Sequence, residues 1–233
     1  MLRDFLEPDI QNKLNIFFML SARDSVSISE FCETLEISKD YTLALLDELR
    51  ADLPEDAVIE RCRGRYSIDM DKNESIGSMH AIYRNSNVLE CLRFMIAGES
   101  QKPFSCFISE TSLKESAAYR IRETCITYLR SVGLDFSKKG VTGDEYRIRF
   151  LIALLHYEYG IDCIEFDPDS VKLVRDFVLR TNQAVPREFL EQTSHEYGFF
   201  ESLMILAWKR RRYPVPLPPS DEMTALKGLF VYD

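Results

Sequence analysis

Residues 105–149 hold the pattern most capable of chemistry: a helix-turn-helix stretch with its arginines on a helix, inside a chain of net charge −9. Ser116 is placed to cap a helix N-terminus, where its hydroxyl would accept an orphaned backbone N–H, and Gly133 to end that helix as a C-cap glycine. Ala118, Ile121, Cys125, Tyr128 and Val132 recur at helical spacing and predict a buried stripe. That stripe turns Tyr119, Arg120, Glu123, Thr124 and Thr127 outward, with Arg122 and Arg130 close by. Side chains of this kind on a short helix can hydrogen-bond base edges in a major groove and neutralise phosphates. Lys114, Ser116, Tyr119, Arg120, Arg122 and Thr124 are therefore the candidate DNA contacts of this helix. The same pattern also fits the solvated face of an ordinary helix.

Catalytic chemistry has little to stand on. Histidine is confined to His80, His156 and His195, none in a metalloprotease, deaminase or nucleophile-elbow context, and there is no phosphate-binding P-loop. Asp162, Glu165, Asp167 and Asp169 cluster, but their spacing fits no calcium loop, and an acidic turn opening a helix accounts for them. His156 falls in a mostly apolar segment and reads as a core histidine. The six cysteines include no C-x-x-C pair and read as reduced residues, several on apolar stripes. No enzyme, cofactor or metal is expected. With no signal peptide and no apolar run near 18 residues, a cytoplasmic protein without membrane association is expected.

The elements that would position the arginine helix form a repeated plan. Ile10, Leu14, Phe17 and Phe18 stripe a first helix. Ser27 and Glu30 then open a second, burying Phe31 and Leu35; Ser38 caps a third, burying Leu45, Leu46 and Leu49, which Pro54 stops. Residues 58–68 read as a hairpin turning at Gly64, a wing that carries Arg61, Arg63 and Arg65. After a polar connection from 70 to 87 the plan recurs. Val88, Leu89, Leu92, Met95 and Ile96 stripe one helix, Pro103 starts another through Phe104, Phe107 and Ile108, the arginine helix follows, and residues 134–141 form a second wing with Lys138 and Lys139 at its turn. Beyond about residue 142 the chain is helical: an apolar segment 144–159, a helix opened by Asp167 and Pro168, another through Phe199, Leu203 and Leu206, and a proline-rich stiff connection over 214–219. The fold expected is mainly α, with two tandem winged helix-turn-helix domains at 1–70 and 71–160 and a helical region at 161–233.

Charge separates the two modules. Residues 1–65 hold 8 Lys and Arg against 14 Asp and Glu, a balance of −6, whereas residues 84–149 hold 11 against 8, a balance of +3. The third helix of the first module turns Asp40, Leu43, Ala44 and Asp47 outward, a face that repels phosphate. The second module is the better reader; the first contributes at most its wing, or serves as a protein-binding surface.

The run Gly143, Asp144, Glu145, Tyr146, Arg147, Ile148, Arg149, Phe150, following a wing, resembles the end of the helix-turn-helix module in Mga/AtxA-type virulence regulators of Gram-positive bacteria. Ser116, Ala117, Ala118, Tyr119 and Arg120 with Leu129 resemble that family's recognition helix. Met204, Ile205, Leu206, Ala207, Trp208, Lys209 and Arg210 are similar to a helix of the phosphotransferase-regulated (PRD) domain such proteins carry next. The resemblance implies a promoter-binding transcription regulator, an activator of virulence or sugar-responsive genes, controlled by histidine phosphorylation. It further implies that 161–233 is an incomplete PRD-like region, that the chain is the N-terminal portion of a longer regulator or a short paralogue, and that the protein is a homodimer met by a phosphocarrier protein. His195, at the start of a helix in that region, is the phosphorylation candidate, although an ordinary capping histidine fits the same position. The rival reading is an acidic tandem-winged-helix scaffold that grips protein partners, as chromosome-condensation accessory subunits do.

Overall fold

The computed structural model describes residues 1–71, 75–97, 102–111, 113–137, 140–181 and 194–213, with the backbone alone over 178–181 and 194–197. A 3-10 turn at Leu2–Phe5 leads into α1 (Pro8–Ala22), whose Pro8 sits in the first turn, where its missing N–H costs nothing. Ile10, Leu14, Ile16, Phe17 and Leu20 of α1 are buried; Phe18, expected in that stripe, is 38% exposed. α2 (Ile28–Leu35) opens on a reciprocal cap, Ser27 accepting from the Glu30 N–H while the Glu30 carboxylate accepts from the Ser27 N–H at 2.7 Å. Glu36 turns the chain with φ 56°, and Ser38 caps α3 (Lys39–Asp52) by accepting from the Tyr41 N–H.

The hairpin of β2 (Val58–Cys62) and β3 (Arg65–Asp69) closes through Arg63 and Gly64, both at positive φ (51° and 80°). A two-residue turn of that hand matches the twist of the strands. β1 (Val26–Ser27) joins as a third antiparallel strand in the order β1-β3-β2, with Val26 opposite Tyr66. Phe17, Phe31, Leu45, Leu49 and Tyr66 form the centre of this unit. Lys13 is buried beside them because Glu48 (2.8 Å) and Asp52 (2.9 Å) of α3 receive its ammonium.

Residues 70–87 are more than a polar connection, because they contain α4 (Ser75–Tyr83), packed between α1 and α8. Its buried Ser78, Ile82 and Tyr83 form a stripe too short and too polar to stand out as periodicity. α5 (Asn87–Ile96) is capped by Ser86 and also by Glu7 from the start of the chain, whose carboxylate accepts from the Ser86 hydroxyl (2.7 Å) and the Val88 N–H (3.1 Å). α6 (Phe104–Thr111) and α7 (Glu115–Ser131) follow, then a hairpin of β4 (Leu134–Ser137) and β5 (Gly140–Gly143).

Asp144 caps α8 (Glu145–Tyr159), which ends at Gly160 with φ 65°. A side chain there would also strike His80, whose ring lies 2.5 Å from where a Cβ would stand. His80 Nε2 donates to the Tyr157 carbonyl at 3.0 Å, tying α4 to α8, and burial holds the ring below its ordinary pKa. α9 (Pro168–Thr181) is capped by Asp167, which accepts from the Ser170 N–H at 2.8 Å, and α10 (Ser194–Lys209) packs on α8 and α9. His156 is half-buried, not a core residue: its ring stacks on Phe166 (centroids 3.8 Å apart) and donates to Asp162 at 2.5 Å. The proline-rich stretch 214–219 lies outside the described residues.

Candidate nucleic-acid interface

The buried side of α7, formed by Ala118, Cys125, Ile126, Tyr128 and Leu129, packs on α5 and β4. Ile121 and Val132, expected in this stripe, are only partly buried, while Ile126 and Leu129 take full places in it. The helix begins at Glu115, so Lys114, not Ser116, occupies the N-cap position, and no side chain caps it. A carboxylate at the first helical residue already suits the positive end of the helix, which moves the start ahead of the serine.

The opposite side of α7 presents Ser116, Tyr119, Arg120, Glu123 and Thr127 as one exposed stripe. Arg120 makes no ion pair or hydrogen bond through its guanidinium with any described residue, so its five donors are open to a partner. Lys114 is exposed one turn below. Tyr119 is 44% exposed and leans on Phe104, with ring centroids 5.4 Å apart.

Arg122 and Thr124 stand differently. The Arg122 guanidinium lies between two rings, 5.5 Å from the centre of Phe104 and 5.8 Å from that of Phe136. It therefore clamps the start of α6 and a wing strand onto α7. The Thr124 hydroxyl donates back to the Arg120 carbonyl at 3.1 Å. These two residues are engaged with the protein itself and are less free to touch a ligand. Neither clamp could be read from spacing, since Phe136 and Phe104 meet Arg122 only through the fold. Near the end of α7, Arg130 pairs with Asp135 of β4 at 3.4 Å. Lys138 and Lys139, expected at the wing turn, lie outside the described residues.

In the first module two of the three hairpin arginines are engaged within the fold. Arg65 donates to the Ser25 hydroxyl and carbonyl, both at 2.8 Å, and pairs with Glu30 at 3.1 Å, so it anchors the hairpin to the helix-turn-helix. That contact, with the Ser27 hydrogen bonds acting first, holds Glu30 below the usual carboxylate pKa. Arg61 lies over the Tyr66 ring at 5.6 Å, and Arg63 projects from the turn. On α3 the exposed residues include Asp40, Tyr41, Ala44 and Asp47, while Leu43, expected outward, is partly buried. Asp47 is paired with Arg50 at 3.1 Å.

In the basic run 209–212, Lys209 and Arg210 are partly buried and brace the helical region, while Arg211 and Arg212 are exposed. Arg210 forms a two-pronged bond to Glu145 (both 2.8 Å), Arg149 adds a third at 2.9 Å, and Arg149 also donates to the carbonyls of Arg210 and Tyr213. Burial alone would raise the Glu145 pKa; the bonds from Arg210 and Arg149 outweigh it and hold the carboxylate below its usual range. Lys209 reaches Asp167 and the Glu165 carbonyl, and Arg211 lies over Trp208 at 4.6 Å. Within the acidic turn, Asp167 caps α9 and pairs with Lys209, and Asp162 accepts from His156; no group of three or more His, Cys, Asp or Glu among the described residues is placed to hold a metal ion. His195 is the second residue of α10, and its side chain lies outside the described residues. No helix among the described residues is long and apolar enough to cross a membrane.

Compared with known families, residues 73–156 match the Mga helix-turn-helix domain, a segment that opens just ahead of α4, contains α5 to α7 and both wing strands, and closes within α8. No curated protein is significantly similar to the chain.

Proposed function

We propose that this Mga-type helix-turn-helix protein is a sequence-specific transcription regulator that reads duplex DNA with α7. The observation that carries the reading is the exposed stripe of α7 within the matched domain, where Arg120 is open to a bidentate contact with guanine. Lys114, Ser116 and Tyr119 flank it, Arg122 holds the helix against the wing, and Lys138 and Lys139 at the wing turn would neutralise phosphates. In this reading residues 1–70 and 71–160 are tandem winged helices, the second the reader and the first contributing Arg63 at its wing tip.

The resemblance extends the proposal to a cytoplasmic homodimer reading paired half-sites, with the region after 160 regulatory and His195 the residue a phosphocarrier would modify. The test is duplex binding by the full chain across a salt series. Binding that weakens steeply with salt and discriminates between sequences supports the reading. If no duplex is bound at low ionic strength, the second reading takes over: the acidic face of α3, with Asp40 and Asp47 exposed, makes the protein a scaffold for basic protein partners.

A further inference from the structure

Glu123 stands on the midline of the exposed stripe of α7. It follows Ser116 by seven residues and precedes Thr127 by four. At about 100° per residue these three lie within roughly 40° of one another around the axis, with Tyr119 and Arg120 to either side. The Glu123 carboxylate makes no ion pair or hydrogen bond with any described residue, although three arginines share its helix. Arg122 lies between the Phe104 and Phe136 rings, and Arg130 is taken by Asp135. Arg120, three residues before Glu123, leaves it open. Elsewhere in the chain Glu90 pairs with Arg93 at 2.5 Å and Asp47 with Arg50 at 3.1 Å at the same spacing, but there the acid comes first, the order that suits a helix. On α7 the order is reversed and both charges stay free. The Thr127 hydroxyl spends its one proton on the Glu123 backbone carbonyl, at 2.8 Å, and so does not engage the carboxylate.

A carboxylate on the midline of a helix in a major groove faces base edges, not the phosphates on the rims. Being ionised, it only accepts, and the groove offers two donors, the amino groups of cytosine and adenine. Adenine sets its N7 acceptor beside that amino group and repels the second carboxylate oxygen, whereas the cytosine edge has no such acceptor. Guanine and thymine show oxygen acceptors and are refused. We infer that Glu123 is a specificity-determining residue that selects a cytosine by accepting from its amino group, beside the guanine taken by Arg120, an assignment that rests on α7 being the DNA reader. The two residues stand about 4.5 Å apart along the helix, on the scale of the roughly 3.4 Å between stacked bases, so they address neighbouring base pairs. On any other sequence the carboxylate is left unpaired or repelled. It therefore contributes discrimination more than strength.

The experiment is selection of duplexes from a randomised pool by the full chain at low salt, comparing wild type, Glu123→Gln, Glu123→Ala and Arg120→Ala. Glu123 and Arg120 are exposed, so the circular dichroism spectra should coincide. The wild type is expected to select a site in which a cytosine lies on the base pair next to a guanine. Glu123→Gln should move that one position from cytosine to adenine, because an amide donates to N7 and accepts from the amino group together. Glu123→Ala should lose about five- to tenfold of the preference for cytosine there, keep the rest of the site, and bind unrelated duplex at least as tightly as the wild type. Arg120→Ala should relax the guanine and leave the cytosine. Base profiles that coincide for the wild type and both Glu123 variants overturn the inference and leave the DNA reading in place. Uniformly tighter binding by Glu123→Ala with its profile unchanged does the same, as the mark of a solvated carboxylate that only repels phosphate. If the wild type selects no duplex, the DNA reading and the inference fall together.

Discussion

The two helix-and-hairpin units, α1 to β3 and α5 to β5, differ in what α3 and α7 show and in how nearby buried charges are held. α3 turns Asp40 and Asp47 to solvent, whereas α7 turns Arg120 outward beside Tyr119 and Ser116. The first unit keeps its buried charge to itself, with Lys13 of α1 held by Glu48 and Asp52 of α3. Glu145, at the start of α8, is held by Arg149 and by Arg210, which lies 65 residues on, just past the end of α10. A shared order of helices and hairpin thus fixes neither ligand nor dependence on neighbours. Those follow from surface charge and from where the compensating ion sits.

The largest effect expected in testing this contrast is on stability. Glu145→Ala leaves Arg149 and Arg210 facing each other without their shared carboxylate and should cost roughly 3 kcal/mol, read as a lowered denaturant midpoint. Acid and alkali should separate the two ties. The Glu145 carboxylate lies below its usual pKa of 4.5, so its contribution is complete above that value and is lost as pH falls through the lowered one. Lys13 is the reverse: burial works to lower its pKa, the bonds from Glu48 and Asp52 outweigh that, and its contribution is complete below 10.5 and lost as pH rises through the raised value. Urea midpoints against pH, compared between wild type, Glu145→Gln and Lys13→Met, should flatten the acid limb in the first variant and the alkaline limb in the second.

Next in size is Arg120→Ala, expected to lose roughly 1–3 kcal/mol of affinity for a preferred duplex over a scrambled one, with the circular dichroism spectrum unchanged. Lys138→Ala and Lys139→Ala should each weaken all duplexes alike and lower the salt slope by about one. The smallest effect belongs to α3. Asp40→Asn with Asp47→Asn should leave duplex affinity unchanged or raise it slightly, since each removes a charge that repels phosphate. A marked loss in this pair with folding intact would show that acidic side chains of α3 accept from bases, and the roles of the two units would be exchanged.

Much of this architecture was legible from local rules. Ser27 with Glu30, Ser38 and Asp167 all cap helices, because a short polar side chain ahead of an apolar stripe has few other uses. Local rules failed where a local signal was weak or a distant partner intervened. α4 hid because small and polar residues dilute its short stripe, and the α7 start was misplaced because Ser116 stands one residue after a Glu that already satisfies the helix end. Arg65 and Arg122 look like open cations in sequence, but Glu30 and two phenylalanine rings claim them. Of the candidate site, the identity of α7 was readable from its stripe; the division between side chains that reach out and those that brace was not, since it depends on contacts between elements.

Glu7 shows where one folding unit ends, and it is not at the edge of the matched segment. Its carboxylate closes the first turn of α5 from 79 residues away in sequence, and Phe5 packs on Tyr128 of α7 nearby. A protein cut to residues 73–156 would lose that cap and that aromatic contact, although every residue of the matched domain would be present. The first few residues of the chain are thus part of the packing of a domain whose matched segment begins some seventy residues later. Excision, domain exchange or fusion at the segment boundary would separate the matched domain from contacts that help to hold it.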